Sequence, residues 1–135
     1  MEITYQVEKD LSVAEFRDIL VRSTLGERRP IDDYDRLEKM CRNTNIMLTA
    51  RFKSKLVGVA RSLSDFAFVT YLSDLAVDVE FQKLGIGKRL IAEMKKLVQG
   101  KLILLSAPAA IEYYSKIGMT QFEYSFYLDN VNDLK

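Results

Sequence analysis

The stretch VDVEFQKLGIGKRLIAEMKKLVQG, from Val77 to Gly100, joins a strand-like run to a helix-like run through two glycines, Gly85 and Gly87. From Ile86 to Gln99 the residues are apolar on one helical face and charged on the other, which predicts an amphipathic helix. Gly100 stands where a left-handed helix cap is expected. The apolar face of this helix consists of Leu90, Ile91, Met94, Leu97 and Val98.

The glycine turn has the composition of an anion site. A strand that enters a helix through small residues exposes backbone N–H groups at the positive end of the helix dipole. Lys83, Lys88 and Arg89 lie in or beside the turn, and no carboxylate occurs between Glu80 and Glu93. Taken alone, the glycine spacing is equally compatible with a tight connection that binds nothing.

Two familiar phosphate motifs do not fit the turn. The P-loop pattern requires glycine where Gln82 stands and Ser or Thr where Arg89 stands. The dinucleotide pattern GxGxxG requires a third glycine where Leu90 stands, and it belongs near the start of a βαβ unit. Nucleoside triphosphates and NAD are therefore disfavoured as ligands.

Composition excludes several classes of function. The chain has 135 residues, 48% of them hydrophobic, which predicts one domain over residues 1–135. A net charge of +1 disfavours nucleic acid and anionic membranes as partners. The chain has no histidine and one cysteine, Cys41, so catalytic triads and imidazole-ligated metals are excluded and we expect no metal. The lone thiol and the absence of a signal-like or membrane-spanning run favour a cytoplasmic protein.

The first half of the chain predicts a strand, two helices and a β-hairpin. Alternation at Ile3, Tyr5 and Val7 indicates the strand, and the capping-box spacing from Ser12 to Glu15 opens the first helix. The apolar positions of the first helix are Val13, Phe16, Ile19 and Leu20, those of the second are Tyr34, Leu37, Met40 and Cys41, and the hairpin runs from Asn45 to Leu63.

The extended run from Phe66 to Val79 changes its alternation part of the way along. Its bulky residues are first even-numbered (Phe66, Phe68, Leu72) and then odd-numbered (Leu75, Val77, Val79). A β-bulge near Ser73 and Asp74 would produce this change, and so would a central strand buried on both faces.

The last third predicts a strand, a short helix and a final strand. The strand from Leu102 to Leu105 is wholly apolar, as expected for burial on both faces. Pro108 opens a helix that ends at Gly118, and Phe122, Tyr124, Phe126 and Leu128 alternate with polar or smaller neighbours as in a strand buried on one face. The order of elements predicts an α/β (α+β) fold, a mixed sheet covered by helices.

Two segments resemble the GNAT superfamily of N-acetyltransferases. The residues from Gln82 to Lys88 match the family pattern Q/R-x-x-G-x-G/A, and the lead-in from Asp74 to Gln82 is similar to its usual strand. The segment AAIEYYSKIGM, from Ala109 to Met119, resembles the short helix A-x-x-F-Y-x-x-x-G-F of the family. The resemblance implies a mixed, mostly antiparallel central sheet with a splayed, bulged strand, flanked by helices.

The resemblance also implies acetyl-CoA as co-substrate. In the family the glycine turn binds the pyrophosphate of the cofactor through backbone N–H groups, and the bulged strand pairs with the pantetheine arm. By motif match the first set is Gln82, Lys83, Leu84, Gly85, Ile86, Gly87 and Lys88, and the second is Leu75, Ala76 and Val77. Lys83, Lys88 and Arg89 are then expected near the 3′-phosphate.

For the chemistry, the resemblance places the acid that protonates the departing thiolate at Tyr114, with Tyr113 packed inward beside it. Without the resemblance, both tyrosines would be read as core aromatics of a short helix. A free N–H near Leu75 or Ala76 is expected to stabilise the oxyanion. Asp74 is a minor candidate for a base acting through water.

Two positions depart from the family pattern. Tyr71 stands where some members carry a glutamate base, and Ala107 stands where many carry an asparagine that reaches the cofactor, with Ser106 as its only nearby substitute.

The leading hypothesis is acetyl transfer from acetyl-CoA to a primary amine of a small molecule, by direct attack within a ternary complex. The two departures favour its alternative, a non-catalytic acyl-CoA-binding regulatory or partner-binding module. A phosphate-binding protein outside the family is a third reading, and a homodimer through the terminal strands is a further expectation.

Overall fold

In the computed structural model, which describes residues 1–135, five strands form one sheet in chain order. They are β1 (Ile3–Val7), β2 (Ile46–Phe52), β3 (Lys55–Ser64), β4 (Val69–Val77) and β5 (Lys101–Ile103). The pairs from β1 to β4 are antiparallel and the β4–β5 pair is parallel. The four α-helices are α1 (Val13–Arg22), α2 (Tyr34–Arg42), α3 (Ile86–Lys96) and α4 (Ile111–Lys116). The predicted mixed, mostly antiparallel sheet with flanking helices is confirmed.

The chain consists of two compact units, Met1–Leu105 and Ser106–Lys135. The first contains the sheet with α1, α2 and α3, and the second contains α4. One domain over residues 1–135 stays a prediction. None of the helices combines the length and the apolarity needed to cross a membrane.

The sheet is covered on both faces within the first unit. On one face α1 and α2 bury Phe16, Ile19 and Leu37 against the sheet. On the other face α3 buries Leu90 and Met94. Each such side chain contributes roughly 1.5–3 kcal/mol through burial. Because α3 is fixed by its apolar face, the start of this helix has a defined place beside β3.

Gly58 of β3 determines how closely α3 approaches. A Cβ atom at this position would lie 3.2 Å from Leu90 Cδ1 and 3.3 Å from Ile86 Cγ2. A larger residue would push the first turn of α3 away from the sheet. The absence of a side chain at Gly58 therefore helps to position the glycine turn that precedes α3.

Local signals in the first half are mostly confirmed. The Ser12 hydroxyl accepts the Glu15 N–H at 3.1 Å at the start of α1, as the capping box predicts. The hairpin of β2 and β3 turns through Lys53, whose φ of 57° is left-handed. The prediction that Tyr34 belongs to the apolar stripe of α2 is wrong. Tyr34 is the first residue of this helix and its side chain is largely exposed.

The end of α3 differs from the prediction. The helix ends at Lys96, not at Gln99, and Leu97 is its cap residue. Gly100 does have a left-handed φ of 75°, but its role is close approach, because a Cβ there would lie 1.8 Å from the carbonyl oxygen of Phe68. Glycine at this position lets the chain enter β5 beside the start of β4.

Three predictions about burial and strands are wrong. Phe66 and Phe68 precede β4 in a turn in which Asp65 Oδ1 accepts the N–H groups of residues 67, 68 and 69, so both rings are exposed. On β5, Ile103 is 46% exposed, since β5 is a three-residue edge strand with β4 as its one neighbouring strand. The alternating run from Phe122 to Leu128 forms no strand, since alternation does not supply the neighbouring strand that a ladder requires.

Candidate functional site

The glycine turn begins with a buried aspartate. Asp78 directly follows β4 and caps a short 3-10 turn, Val79–Phe81, by accepting the Glu80 N–H at 2.8 Å. Its carboxylate also pairs with Arg22 of α1. Burial alone would raise the pKa of Asp78, but the Glu80 N–H and the Arg22 guanidinium hold it below its usual value. The turn therefore starts from an ionised, fixed anchor.

The next residues expose a row of N–H groups. Gly85 is the N-cap of α3 with a φ of 84°, and it has no side chain that could accept a hydrogen bond from the helix. The first ladder bond runs from the Arg89 N–H to the Gly85 carbonyl at 3.0 Å. The N–H groups of Ile86, Gly87 and Lys88 consequently have no acceptor within the chain.

The cations near the turn are not equivalent. Arg89 pairs with Glu93 at 3.1 Å and lies over the ring of Tyr5, 4.6 Å from its centroid. Lys83 and Lys88 form no ion pair, and both are exposed. The side chains available to a phosphate group are therefore the two lysines, whereas Arg89 is engaged against β1.

The bulge predicted in β4 is confirmed. Arg61 of β3 pairs with Asp74 and Ser62 pairs with Leu72, which leaves Ser73 as the extra residue. Leu72 packs on the face covered by α3, whereas Ala76 packs on the face covered by α1 and α2. Leu75 packs on the α3 face as well, so the alternation reverses at the bulge.

Beyond the bulge, one edge of β4 is open. Its pairing with β5 covers only Val69–Tyr71, so from Leu72 onward β4 has β3 alone as its neighbour. The Asp78 N–H donates to the Val57 carbonyl of β3 at 2.9 Å. Antiparallel ladders alternate, so the N–H and C=O groups of Ala76 also point toward β3 and those of Leu75 and Val77 point toward the open edge.

A glutamine ties this edge to the turn. The Gln82 side chain donates its Nε2–H to the Val77 carbonyl at 3.0 Å. The main-chain groups left free on the open edge are thus the N–H of Leu75, the C=O of Leu75 and the N–H of Val77. They lie on the same compact unit as the uncapped amides of α3.

Asp74 is fully buried beside these groups. Its two carboxylate oxygens accept the Nε–H of Arg29, at 2.5 Å, and the Nε–H of Arg61. Neither arginine is a candidate site residue from the sequence, because no local pattern indicates its contact with Asp74. Asp74 is therefore part of a buried ion cluster rather than a carboxylate facing solvent.

Tyr114 lies on α4, in the second unit, and is half-buried. Its ring packs edge-on against Tyr113 with centroids 5.2 Å apart. Burial raises the pKa of Tyr114, and the neighbouring Tyr113 adds to the shift. The expectation that Tyr113 packs inward is wrong, because Tyr113 is 41% exposed.

The positions that depart from the family pattern are also defined. Tyr71 pairs with Leu63 and Ile103 in the part of β4 before the bulge. Ser106 donates its hydroxyl to the Ala107 carbonyl at 2.7 Å. The hydroxyl proton of Ser106 is therefore already used within its own loop.

An open recess of about 390 Å³ lies between α1 and the β2–β3 hairpin, apart from these features. Its arginines are already paired: Arg22 with Asp18, and Arg51 with Glu8 and Glu15. The hydrogen bond from Arg51 lowers the pKa of Glu8 to about 2. We regard this recess as the surface of a structural ion-pair network.

Comparison with known proteins identifies the family. The model of the Acetyltransferase (GNAT) family matches residues 13–119. The uncharacterized N-acetyltransferase ycf52 of Pyropia yezoensis is 28% identical over 83% of this chain and 76% of its own length. In four further curated relatives, the match spans between 27% and 40% of their length.

Solved structures share the fold. A probable acetyltransferase of unknown function from methicillin-resistant Staphylococcus aureus has a TM-score of 0.77 at 17% identity, covering 96% of this chain and 100% of its own. AAC(6′)-Iy, in complex with the bisubstrate analog CoA-S-monomethyl-acetylneamine, has a TM-score of 0.72 at 14% identity, covering 96% and 99%. The family match spans most of the sequence, including the glycine turn and the segment around Tyr114, and the chain belongs to the GNAT family of acetyltransferases.

Proposed function

We propose that this protein transfers the acetyl group of acetyl-CoA to a primary amine of a small molecule, by direct attack within a ternary complex. The observation that carries the proposal is the row of amides without acceptors at the start of α3. These amides are accompanied by two unpaired lysines and lie on the same unit as the open edge of β4. Donors of this kind fit a phosphate group and an extended amide chain, and acetyl-CoA contains both.

The turn from Gln82 to Lys88 would bind the pyrophosphate. The uncapped N–H groups of Ile86, Gly87 and Lys88 would donate to phosphate oxygens, and the helix dipole would favour the negative charge. Lys83 and Lys88 would add mobile positive charge at the exposed rim. Leu84 and Gly85 shape the turn, and the Gln82 side chain fastens it to β4.

The open edge of β4 would bind the pantetheine arm as a strand would. Leu75 offers its C=O and Val77 offers its N–H to the arm, which leaves the Leu75 N–H for the acyl carbonyl. Ala76 belongs to the same stretch, but its N–H and C=O groups point toward β3. Ala76 therefore contributes only the spacing between Leu75 and Val77. This assignment narrows the sequence-based choice for the oxyanion donor from Leu75 or Ala76 to Leu75.

When bound, acetyl-CoA supplies the activated acyl thioester. The Leu75 N–H would donate to the carbonyl oxygen as negative charge develops on it, a contact worth about 3 kcal/mol in favourable cases. Tyr114 would protonate the leaving sulfur. A phenol is protonated at neutral pH, which is the form that an acid requires, and burial raises the pKa of Tyr114 further in the same direction.

Asp74 enters this proposal as a positioning residue rather than as a base. Both of its oxygens accept arginine N–H groups and its side chain is fully buried, so it has no free oxygen for a water molecule. An alkyl amine with a pKa of ~10.4 therefore has to lose its proton to solvent at neutral pH, at a cost of roughly 4–5 kcal/mol.

Small amines are proposed first as acceptors because AAC(6′)-Iy, which shares the fold, binds an analog built from CoA and an acetylated neamine. Tyr71 and Ala107, at positions where the family often places functional groups, favour the alternative of a regulatory acyl-CoA-binding module. The two functions differ in turnover. Release of free CoA from acetyl-CoA in the presence of an amine panel supports the transferase, and tight CoA binding without product supports the module.

Tyr114→Phe tests the proposed acid. We expect kcat to fall by about 10²-fold or more, because general acid catalysis contributes roughly 10²–10⁴-fold, while the Kd for CoA stays within twofold. Tyr113→Phe is the matched control, since it removes a hydroxyl from the neighbouring ring and should leave kcat near wild type. Equal kcat for wild type and Tyr114→Phe with a saturating amine would show that Tyr114 is not the acid.

A further inference from the structure

The bulge in β4 is held by two arginines that come from other elements. Arg29 lies in the segment between α1 and α2, and its Nη2–H donates to the Ser73 carbonyl at 2.8 Å. Arg61 of β3 donates its Nη2–H to the Ser73 hydroxyl at 2.9 Å. Together with the two Nε–H bonds to Asp74, every polar acceptor of Ser73 and of the Asp74 side chain receives an arginine N–H.

This cluster is removed from water. The Asp74 side chain is fully buried, and 7% of the Arg61 side chain and 23% of that of Arg29 are exposed. Arg61 is fixed further by the Thr44 hydroxyl at 3.2 Å and by the Phe16 ring, 5.9 Å from its guanidinium carbon. Removing one partner of a buried ion pair leaves an uncompensated charge, so each contact of this cluster is costly to break.

The cluster adjoins the proposed oxyanion donor in the covalent chain. The N–H of Leu75 belongs to the peptide group that begins at the carbonyl carbon of Asp74, so the orientation of Asp74 determines where that N–H points. The Asp74 side chain is held on the α1 and α2 face, and the Leu75 side chain packs on the α3 face. Both anchors leave the Leu75 N–H directed toward the open edge of β4.

We propose that Arg29 and Arg61 are positioning residues for acetyl transfer: they hold the Ser73–Asp74 bulge so that the Leu75 N–H is aimed at the acyl carbonyl. This inference rests on the proposed transferase function. Arg29 also ties the segment between α1 and α2 to the bulge, so the conformation of that segment is linked to the geometry of the oxyanion donor. A purely structural role would lower stability without a specific effect on kcat.

Arg29→Lys separates the two roles. Lysine keeps the positive charge beside Asp74 but lacks the planar fork that bonds the Asp74 carboxylate and the Ser73 carbonyl together. Arg61 still neutralises Asp74 in this variant, so the fold is retained. Arg51→Lys is the matched control, because Arg51 is similarly buried and makes several bonds, to Glu8, Glu15 and the Ser54 carbonyl, away from β4.

We expect Arg29→Lys to lower kcat by roughly 10-fold to 100-fold, the loss caused by misplacing a reacting group by a fraction of an ångström to about 1 Å. The Kd for CoA should change much less than kcat, since the turn before α3 is untouched and only the pantetheine contact at Leu75 adjoins the bulge. Arg51→Lys should lower the melting temperature at least as much and keep kcat. Wild-type kcat in Arg29→Lys, or an equal loss of kcat in Arg51→Lys, would overturn the inference.

A second measurement does not depend on turnover. In ¹⁵N spectra of the protein without ligand, Arg29→Lys should shift the amide signals of Asp74 and Leu75 and leave those of Ile86 and Gly87 in place. Arg28→Ala, which removes the exposed neighbouring side chain, should shift neither pair. An unshifted Leu75 signal in Arg29→Lys contradicts positioning. A wild-type protein without acetyl transfer contradicts the proposed function instead.

Discussion

Two stretches of main chain in this protein present free N–H groups, and they are held in different ways. The amides at the start of α3 are aligned by the backbone, because Gly85 adopts a left-handed conformation and the helix geometry orients the next three N–H groups, while the Gln82 side chain ties the preceding turn to β4. The bulge in β4 is oriented by side chains from three elements, since Arg29, Arg61 and Asp74 meet there. N–H groups that are oriented by backbone conformation depend on one residue type at one position. N–H groups that are oriented by side-chain contacts depend on partners far away in the sequence.

The largest effect is expected at the bulge. Arg61→Ala leaves the Asp74 carboxylate buried with one partner, and loss of a partner from a buried ion pair costs about 3–5 kcal/mol. We expect the free energy of unfolding in urea to fall by that amount. CoA should still raise the melting temperature of the variant, because the turn does not use Arg61.

A double variant tests whether the loss at Arg61 reflects the ion cluster. Asp74→Ala combined with Arg61→Ala removes the stranded carboxylate, so its cost should be smaller than the sum of the two single costs by about 1–3 kcal/mol. Strict additivity would show that Arg61 stabilises the protein through its contacts with Thr44, Ser73 and Phe16 rather than through Asp74.

The smaller effect at the turn comes from Gly85→Ala. A Cβ at this position meets no atom within 4 Å, so the substitution tests backbone strain without a steric clash. A left-handed non-glycine residue costs roughly 1–2 kcal/mol. If the free protein relieves this strain by reshaping the turn, CoA must restore it on binding, and its Kd should rise by about 5-fold to 30-fold in calorimetry.

Asparagine offers a graded control for Gly85→Ala. Asparagine adopts left-handed conformations several times more readily than alanine, so Gly85→Asn should lose less affinity. Both variants should keep wild-type kcat at saturating acetyl-CoA, because the bulge is unchanged. If Gly85→Ala leaves both the CoA affinity and the free energy of unfolding unchanged, the turn is not part of the cofactor site.

This contrast explains what the sequence could and could not predict. The helix that follows Gly85, the capping box at Ser12 and the hairpin depend on neighbours within a few residues, and these three elements are confirmed, whereas anion binding by the turn stays a prediction. The change of alternation between Leu72 and Leu75 indicated the bulge correctly. Phe66 and Phe68 were part of the same pattern, but they lie outside the strand. Arg29 is 45 residues from Asp74, and nothing in its local pattern indicates that contact.

The failures have the same physical origin. The alternation from Phe122 to Leu128 describes one segment, but a strand exists only when a second segment pairs with it. Phe126 is 94% exposed in a segment that forms no ladder. The burial predicted for the segment from Leu102 to Leu105 likewise required a neighbour that its sequence alone cannot specify: the strand ends at Ile103, and Leu105 is 64% exposed.

The smallest expected effect sharpens the comparison at the bulge itself. Ser62 lies opposite Leu72, and its buried hydroxyl is the one buried side-chain polar atom of the chain without a hydrogen-bond partner. A desolvated, unpaired hydroxyl costs about 1–3 kcal/mol, and the packing of its atoms offsets part of this cost. Ser62→Ala should therefore raise the free energy of unfolding, measured by urea denaturation, by up to about 1 kcal/mol. Ser23→Ala is the matched control, because the buried Ser23 hydroxyl donates to the Leu20 carbonyl at 3.1 Å and accepts the Leu25 N–H, and its loss should destabilise by about 1 kcal/mol. A gain in stability for Ser62→Ala beside a loss for Ser23→Ala would show that the bulge retains one polar group that the arginine cluster does not satisfy. Equal losses of stability in the two variants would show that the Ser62 hydroxyl has a hydrogen-bond partner in solution.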